Sequence, residues 1–278
     1  MLFPHVRATP DWTQGYDHGW PQHLFLEPSS PLISTLDLPP GFDVAKTPLV
    51  SFYRVDTLLE RGRLDALYRA LHPDSPYLPP GDTSILSDEA LWNLAPAEYM
   101  RIFTAPRPEG NFGTMVVSTA GHWTTHLFSA LSDPGLFANG IENVVAFFPE
   151  AMRAWAYEVQ ALLDEAEHGP RAARRQRQVV VRAYLPGHED CHEHREPIAN
   201  YTGGPGGWWN WNQIGDFNRA FEVRPRVFLS PPCYVSLTVR VFRTFFAVAS
   251  TRTSTFCPST APGSSAPTHM LPPTACTL

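Results

Sequence analysis

The chain has 278 residues, of which 43% are hydrophobic, and its 21 Lys and Arg against 27 Asp and Glu give a formal net charge of −6. The length and the apolar content predict one large domain or two small ones with a substantial core. The acidic balance excludes the basic surface with which nucleic-acid binders neutralise phosphates, so we expect no nucleic-acid partner. No apolar run approaches the roughly 18 residues that a transmembrane helix needs, so we expect no membrane span in the chain.

The first half of the chain predicts an irregular segment, then a strand and two helical regions. Residues 1–48 are rich in proline and are predicted to be irregular. Residues 49–53, Leu-Val-Ser-Phe-Tyr, predict a short buried strand. Residues 56–71 carry leucines near helical spacing and predict a helix with Asp56 as its N-cap. Residues 87–103 open with Ser-Asp-Glu and predict one or two short helices.

The middle of the chain predicts a parallel crossover. Residues 113–118 form an apolar strand pattern, and residues 178–184 form a second one. Between them, residues 149–167 have the apolar face of an amphipathic helix, with Pro149 in the first turn. A strand, a long helix and a strand in this order pair the two strands in parallel, so the predicted fold class is α/β.

Polar clusters follow both of these predicted strands, and α/β folds place their sites just past the carboxyl ends of strands. The first strand is followed by Gly121 and His122. A glycine there allows backbone N–H groups to approach a substrate oxygen, and a histidine can donate a hydrogen bond to it. The alternative interpretation is a histidine–tryptophan pair that caps a helix.

The second strand is followed by three histidines, three acids and a thiol within residues 188–194. Such side chains can ligate a metal, but their spacing matches no standard ligand pattern. We therefore predict no metal and no cofactor, and a metal hydrolase built on His188, His192 and His194 is the less favoured hypothesis.

A cluster of aromatic residues follows a glycine-rich segment further along the chain. Trp208, Trp209 and Trp211 alternate with asparagines, and this pattern suits either stacking on sugar rings or covering the core. Asn200 begins an Asn-Tyr-Thr sequence, which is a glycosylation acceptor if the chain is secreted.

Three blocks, in their order along the chain, resemble the fungal relatives of the PC-esterase family. They are residues 121–123 (Gly-His-Trp), residues 182–191 with Arg182 and a Pro-Gly-His sequence, and residues 210–222. The family includes the plant trichome-birefringence-like proteins and the luminal domains of glycan O-acetyltransferases. It is similar to SGNH hydrolases, so the resemblance implies a flavodoxin-like, three-layer sandwich around a parallel sheet.

The resemblance also implies a function and a compartment. Members use a Gly-Asp-Ser serine and a later Asp-x-x-His pair to move or remove O-acetyl groups on polysaccharides. The implied partner is a glycan or an acylated carbohydrate, no cofactor is implied, and the full-length family works in the secretory pathway. By the resemblance, Gly121 and His122 line the oxyanion side, and Arg182 and His188 shape the acceptor or acyl pocket.

The sequence departs from the family in its catalytic motifs. The Gly-Asp-Ser strand is expected just before residue 5 and the Asp-x-x-His pair after Glu222, and neither motif occurs in the 278 residues. We therefore expect the chain to form an incomplete sandwich and to be an inactive fragment of an O-acetyl esterase or O-acetyltransferase. A non-catalytic carbohydrate-binding or interaction protein is the alternative.

The last part of the chain differs in composition from the rest. Residues 224–278 contain no Asp, Glu or Lys, and Ser, Thr and Pro are abundant. When the tail is translated back into permitted codons and read in a shifted frame, it can end in Asp-Cys-Leu-His, which matches the missing Asp-x-x-His pattern. The codons of Val223 can also form the start of an intron. We interpret residues 1–222 as the partial domain and residues 223–278 as an aberrant, disordered low-complexity tail from a retained intron or a frameshift.

Overall fold

The computed structural model of this protein describes residues 5–9, 22–78, 81, 83–90, 92–168, 177–186 and 208–221. This part of the chain mixes helix and strand. In chain order its elements are the strands β1 (Val6–Thr9), β2 (Gln22–Leu26) and β3 (Val50–Phe52), the helices α1 (Arg61–Leu71) and α2 (Pro96–Thr104), the strand β4 (Thr114–Val117), the helix α3 (Ile141–His168), the strand β5 (Gln178–Val181) and the helix α4 (Ile214–Arg219). Short 3-10 segments lie at Pro31–Thr35, Ser129–Leu131, Phe137–Gly140 and Trp208–Gln213.

The two strands β4 and β5 pair in parallel, with α3 between them in the chain. Their register runs from Thr114 opposite Gln178 to Val117 opposite Val181. The ladder extends one step further, since the backbone N–H of Arg182 donates to the Val117 carbonyl at 2.8 Å. The predicted parallel crossover is confirmed, and both strands end at the same edge.

An antiparallel sheet in the order β1, β2, β3 occupies the first part of the chain. The prediction that residues 1–48 are irregular is therefore wrong for β1 and β2. The two strands are only four and five residues long, and β2 does not alternate apolar and polar residues, so the pairing that defines them is decided by the neighbouring strands. The predicted strand at residues 49–53 exists, but Val50 and Phe52 are 55% and 52% exposed, so its predicted burial is wrong.

Helix α1 begins later than the sequence predicts. Its N-cap is Glu60, and residues 56–59 form a turn in which Leu58 has a φ of 64°. Asp56 is therefore not the N-cap. Its carboxylate accepts hydrogen bonds from Arg54 rather than from the first turn of the helix.

The second helical region is also shorter than predicted, and α3 is longer. Only α2 forms within residues 87–103 and just beyond, and the Ser87 N–H donates to the Leu127 carbonyl at 2.8 Å instead of entering a helix. Helix α3 begins at Ile141, so Pro149 lies inside it and not in its first turn. Proline inside a helix removes one hydrogen bond. The flanking apolar side chains that α3 buries around it offset that loss, and these are Phe147, Phe148, Ala151 and Met152.

Aromatic side chains fill the core beside the parallel pair. Trp123 is fully buried, stacks on Phe128 at 4.6 Å between ring centres and meets Phe148 edge-on at 4.7 Å. Phe148 in turn meets Phe217 of α4 edge-on at 4.9 Å. Each such pair contributes roughly 0.5–1.5 kcal/mol beyond its buried area. The residue that follows His122 is thus anchored against α3, which in turn packs on α4.

Several predictions fall on parts of the chain outside the described residues. They concern His188, His192, His194, Asn200 and the whole of residues 223–278. Among the helices of the described ranges, none combines the length and the apolar character that crossing a membrane requires.

Candidate functional site

The candidate site lies at the carboxyl ends of β4 and β5, where a buried chain of hydrogen bonds ties the segment after β4 to the turn after β3. Trp123 Nε1 donates to Thr119 Oγ1 at 3.2 Å, and Thr119 Oγ1 donates to the backbone carbonyl of Asp56 at 2.9 Å. Both donor side chains are buried. Buried hydrogen bonds that are satisfied in this way make a polar network rigid. Asp56 is therefore fixed beside residues 118–123.

The carboxylate of Asp56 is clamped by Arg54. Nε and Nη2 of Arg54 donate to Oδ1 and Oδ2 at 3.1 and 3.2 Å, and this two-point contact fixes the carboxylate plane. The Asp56 side chain is only 9% exposed, whereas that of Arg54 is 37% exposed. The guanidinium lies 5.3 Å from the ring centre of Trp92, within the range of a cation–π contact. Asp56 is a fixed acceptor, and Arg54 stays reachable from solvent.

His122 lies beside this carboxylate. Its Nε2 is 3.4 Å from Asp56 Oδ1, and its side chain is 34% exposed. Burial lowers the pKa of His122, Asp56 raises it, and the guanidinium of Arg54 lowers it, with a net shift below the ordinary histidine value. The imidazole is therefore neutral at neutral pH, with one nitrogen that donates and one that accepts.

Tyr184, just after β5, packs its ring directly on Gly121. A Cβ built on Gly121 would lie 2.5 Å from Cζ and 2.7 Å from Cε1 of Tyr184, so glycine is the residue that this contact allows. Burial raises the pKa of the Tyr184 phenol, Asp56 also raises it, and Arg182 and Arg54 lower it. The phenol therefore stays protonated. Within the described ranges its hydroxyl makes no hydrogen bond, so it is a donor available to a ligand.

Helix α4 holds Tyr184 in place through Asn218. The backbone N–H of Tyr184 donates to Asn218 Oδ1 at 2.9 Å, and Asn218 Nδ2 donates to the Tyr184 carbonyl at 2.9 Å. This paired contact replaces the strand ladder, which has ended at this point. Helix α4 therefore links the aromatic core to the site, because it carries both Phe217 and Asn218.

The structure brings some of the predicted site residues together and places others elsewhere. Gly121 and His122 lie at the site, and Arg182 leaves the end of β5 with an exposed side chain that acts electrostatically on Tyr184. Trp211 is 7% exposed and belongs to the core, which leaves too little of its ring for stacking on a sugar. For Trp211 the core-covering interpretation is therefore correct. The side chains of Trp208 and Trp209 lie outside the described residues.

Three site residues were missed by the sequence analysis, and they are Arg54, Asp56 and Tyr184. The available signal was the Arg-x-Asp spacing directly after the predicted strand at residues 49–53. Asp56 was assigned instead to the N-cap of a helix, because a single acid before a leucine-rich segment fits that role equally well.

Metal chemistry finds no support in the described part of the chain. No group of three or more His, Cys, Asp and Glu side chains is arranged there to hold an ion. Two other histidines in these ranges pair with one acid each: His72 Nε2 lies 2.8 Å from Glu150 Oε2, and His126 Nε2 lies 2.5 Å from Glu89 Oε2. These pairs lie away from the strand ends. His122 is the histidine that combines an acid contact with a phenol and a guanidinium.

In comparisons with known proteins, no family model, no curated protein and no solved structure matches this chain.

Proposed function

We propose that this domain belongs to the class of carbohydrate O-acetyl esterases and O-acetyltransferases with a flavodoxin-like, SGNH-type sandwich. We further propose that this chain binds an O-acylated carbohydrate without serine-dependent acyl transfer. One observation carries the proposal: His122, the Arg54–Asp56 pair and Tyr184 converge at the carboxyl ends of two parallel strands. Ligand sites of open α/β sheets lie at this edge.

The available groups suit an acylated sugar. Such a ligand presents hydroxyls that donate and accept, together with an ester carbonyl that only accepts. The site offers the Tyr184 hydroxyl and the Arg54 guanidinium as donors, and it offers neutral His122 as an acceptor. Gly121 is buried beneath the Tyr184 ring, so its lack of a side chain is what allows the phenol to pack against the backbone that precedes His122.

The proposal that acyl transfer is absent has support from the sequence and from the hydroxyls near the site. The chain contains neither Gly-Asp-Ser nor Asp-x-x-His. Ser118 Oγ donates to the Arg182 carbonyl at 3.2 Å, and Thr119 Oγ1 donates to the Asp56 carbonyl. A serine or threonine nucleophile needs its proton directed at a base. Here both hydroxyl protons are directed at backbone carbonyls.

The test is saturation-transfer NMR of the 278-residue chain with mixtures of partially O-acetylated oligosaccharides and with the same mixtures after de-acetylation. We expect transfer to the acetylated sugars, and we expect His122→Gln to weaken binding about tenfold, as the loss of one buried hydrogen bond does. His126→Gln is the matched control, because His126 also pairs with an acid but is 59% exposed.

Two results would contradict the proposal. Equal transfer to acetylated and de-acetylated sugars, or none to either, would remove the acyl carbohydrate as the ligand. Turnover of an aryl acetate that depends on Ser118 would remove the claim that the chain lacks serine-dependent acyl transfer.

A further inference from the structure

We propose that Asp56 is a positioning residue that holds His122 in the tautomer with its proton on Nε2. In this arrangement Nδ1 accepts a hydrogen bond from a free hydroxyl of the bound sugar, and the Tyr184 hydroxyl donates to the acyl carbonyl. This inference rests on the proposed function and deepens it. It assigns as ligand a partially acylated carbohydrate that carries a free hydroxyl beside its ester.

The first step is the immobility of Asp56. Its side chain is held by two hydrogen bonds from Arg54, its carbonyl by Thr119, and its N–H donates to the Trp92 carbonyl at 2.8 Å. With four contacts on one residue, the carboxylate has one orientation. Because the carboxylate cannot reorient, it determines which nitrogen of the imidazole carries the proton.

The second step is the choice of nitrogen. Nε2 of His122 lies 3.4 Å from Asp56 Oδ1, which is an ion-pair contact and not a hydrogen bond in this structure. At this distance the negative oxygen stabilises a proton on Nε2 and repels a lone pair there. The contact is longer than an ordinary hydrogen bond, and such contacts at unliganded sites commonly shorten when the ligand binds. Within the described ranges, Nδ1 of His122 makes no hydrogen bond, so it is left as an acceptor.

The third step is the complementary donor. The Tyr184 ring lies on Gly121, the residue before His122, and its hydroxyl has no acceptor among the described residues. His122 lies 3.4 Å from Asp56, and the Tyr184 ring lies on the residue that precedes His122, so the two side chains flank the same short segment. A ligand that satisfies both must donate to His122 and accept from Tyr184. A free sugar hydroxyl next to an ester carbonyl does this, and a fully acylated sugar does not.

The charges around His122 determine when this arrangement exists. Asp56 and Arg54, on the turn after β3, act on His122 directly, while Arg182 and Tyr184 lie on the segment after β5. Protonation of Nδ1 removes the acceptor, so binding is lost as the pH falls through the pKa of His122. Asp56→Asn removes the charge that raises this pKa. We therefore expect the acidic limit of binding to move to lower pH in that variant.

The primary experiment needs no ligand. Long-range nitrogen–proton NMR correlations of isotopically labelled histidine distinguish the two neutral tautomers, and His122→Gln assigns the signal. We expect a protonated Nε2 and an unprotonated Nδ1 in the full chain at a pH above the pKa. In Asp56→Asn the tautomers should mix and the pKa should fall, while the His126 signal, as the internal control, should stay unchanged. A wild-type His122 with its proton on Nδ1, or a tautomer that Asp56→Asn leaves intact, overturns the inference.

The second experiment separates this inference from the proposed function. A mono-O-acetylated methyl glucoside and its fully acetylated form are titrated into the wild-type chain and into Tyr184→Phe. We expect the mono-acetate to bind at least about tenfold more tightly than the fully acetylated form, because only the mono-acetate has free hydroxyls that can donate to His122. Tyr184→Phe should weaken the binding of both sugars, because both present an acyl carbonyl. Equal affinity for the two sugars overturns the assigned ligand. If the chain shows the expected tautomer but binds no acetylated carbohydrate, the proposed function is wrong and the role of Asp56 is retained.

Discussion

Tyr99 of α2 and Trp155 of α3 share a buried hydrogen bond, in which Trp155 Nε1 donates to the Tyr99 hydroxyl at 2.8 Å. The hydroxyl of Tyr99 in turn donates to the backbone carbonyl of Leu58 at 2.8 Å. Leu58 is the residue with positive φ in the turn that follows Asp56. One phenol therefore ties two helices to the turn that carries the acid of the candidate site. Burial raises the pKa of Tyr99, so its hydroxyl stays protonated.

The loss of this hydroxyl should destabilise the protein. In Tyr99→Phe the Trp155 indole N–H and the Leu58 carbonyl both lose a buried hydrogen-bond partner, at a cost of about 1–3 kcal/mol. Urea unfolding followed by tryptophan fluorescence measures the difference. Tyr157→Phe on the same helix is the control, because Tyr157 is 54% exposed and its change should stay within about 0.5 kcal/mol. Equal stability of the two variants would contradict the bridging role of Tyr99.

Gly121 should tolerate no side chain while Tyr184 occupies its present position. Gly121→Ala places a methyl group within 2.7 Å of the Tyr184 ring and should cost about 1–3 kcal/mol. The double variant with Tyr184→Ala should lose less than the sum of the two single changes, since the clash is absent from it.

Gly62 offers the matched glycine control. It lies in α1, and a Cβ built on it meets no atom within 4 Å. Gly62→Ala should therefore leave the protein unchanged or stabilise it by up to about 1 kcal/mol, because alanine has the higher helix propensity. If Gly121→Ala matched Gly62→Ala in thermal unfolding, the close packing of Tyr184 on Gly121 would be wrong.

His122 should make the stability of the fold depend on pH. Its pKa in the folded protein is lowered from 6.5, so between the folded and the unfolded values the unfolded chain binds more protons. Stability is therefore lost as the pH falls below about 6.5 and through the folded-state pKa. His122→Gln should remove part of that loss when denaturant midpoints are compared at neutral and at mildly acidic pH.

A second histidine contributes to the same pH dependence and serves as the comparison. Burial also lowers the pKa of His23, on β2, so His23→Gln should remove a separate part of the loss. His23 lies on the antiparallel sheet, where its Nδ1 is 2.7 Å from Ser51 Oγ, and its replacement should leave binding of acetylated sugar unchanged. A wild-type stability that is flat across this pH range would contradict the lowered pKa of both histidines.

The exposed face of β3 should contribute little to stability. Val50 is 55% exposed, and Val50→Thr should change the free energy of unfolding by less than about 0.5 kcal/mol. Leu64→Ala, at a fully buried position of α1, should cost about 2–5 kcal/mol. Chemical denaturation measures both values, and a large loss in Val50→Thr would show that this face is covered.

The sequence by itself determined the parallel crossover. The apolar runs at residues 113–118 and 178–184 predicted β4 and β5, and the apolar face of α3 through Met152, Trp155 and Val159 follows the helical period. Periodicity reports which side of an element is buried, so such segments can be predicted without knowing their neighbours. The same reasoning located Gly121 and His122, because polar residues after a predicted strand lie at the edge where sites form.

Only the tertiary structure decided which residues surround His122. Thr119 and Asp56 are 63 positions apart in the chain and are joined by one buried hydrogen bond. Asp56 could serve equally as a helix cap or as a site acid, and the segments 1–48 and 49–53 could not be assigned their antiparallel partners or their exposure. Contacts between loops leave no periodic trace in the sequence, since they depend on how the helices and sheets pack. The local sequence therefore determines the helices and strands, whereas the site depends on the packing that brings the ends of β3, β4 and β5 together.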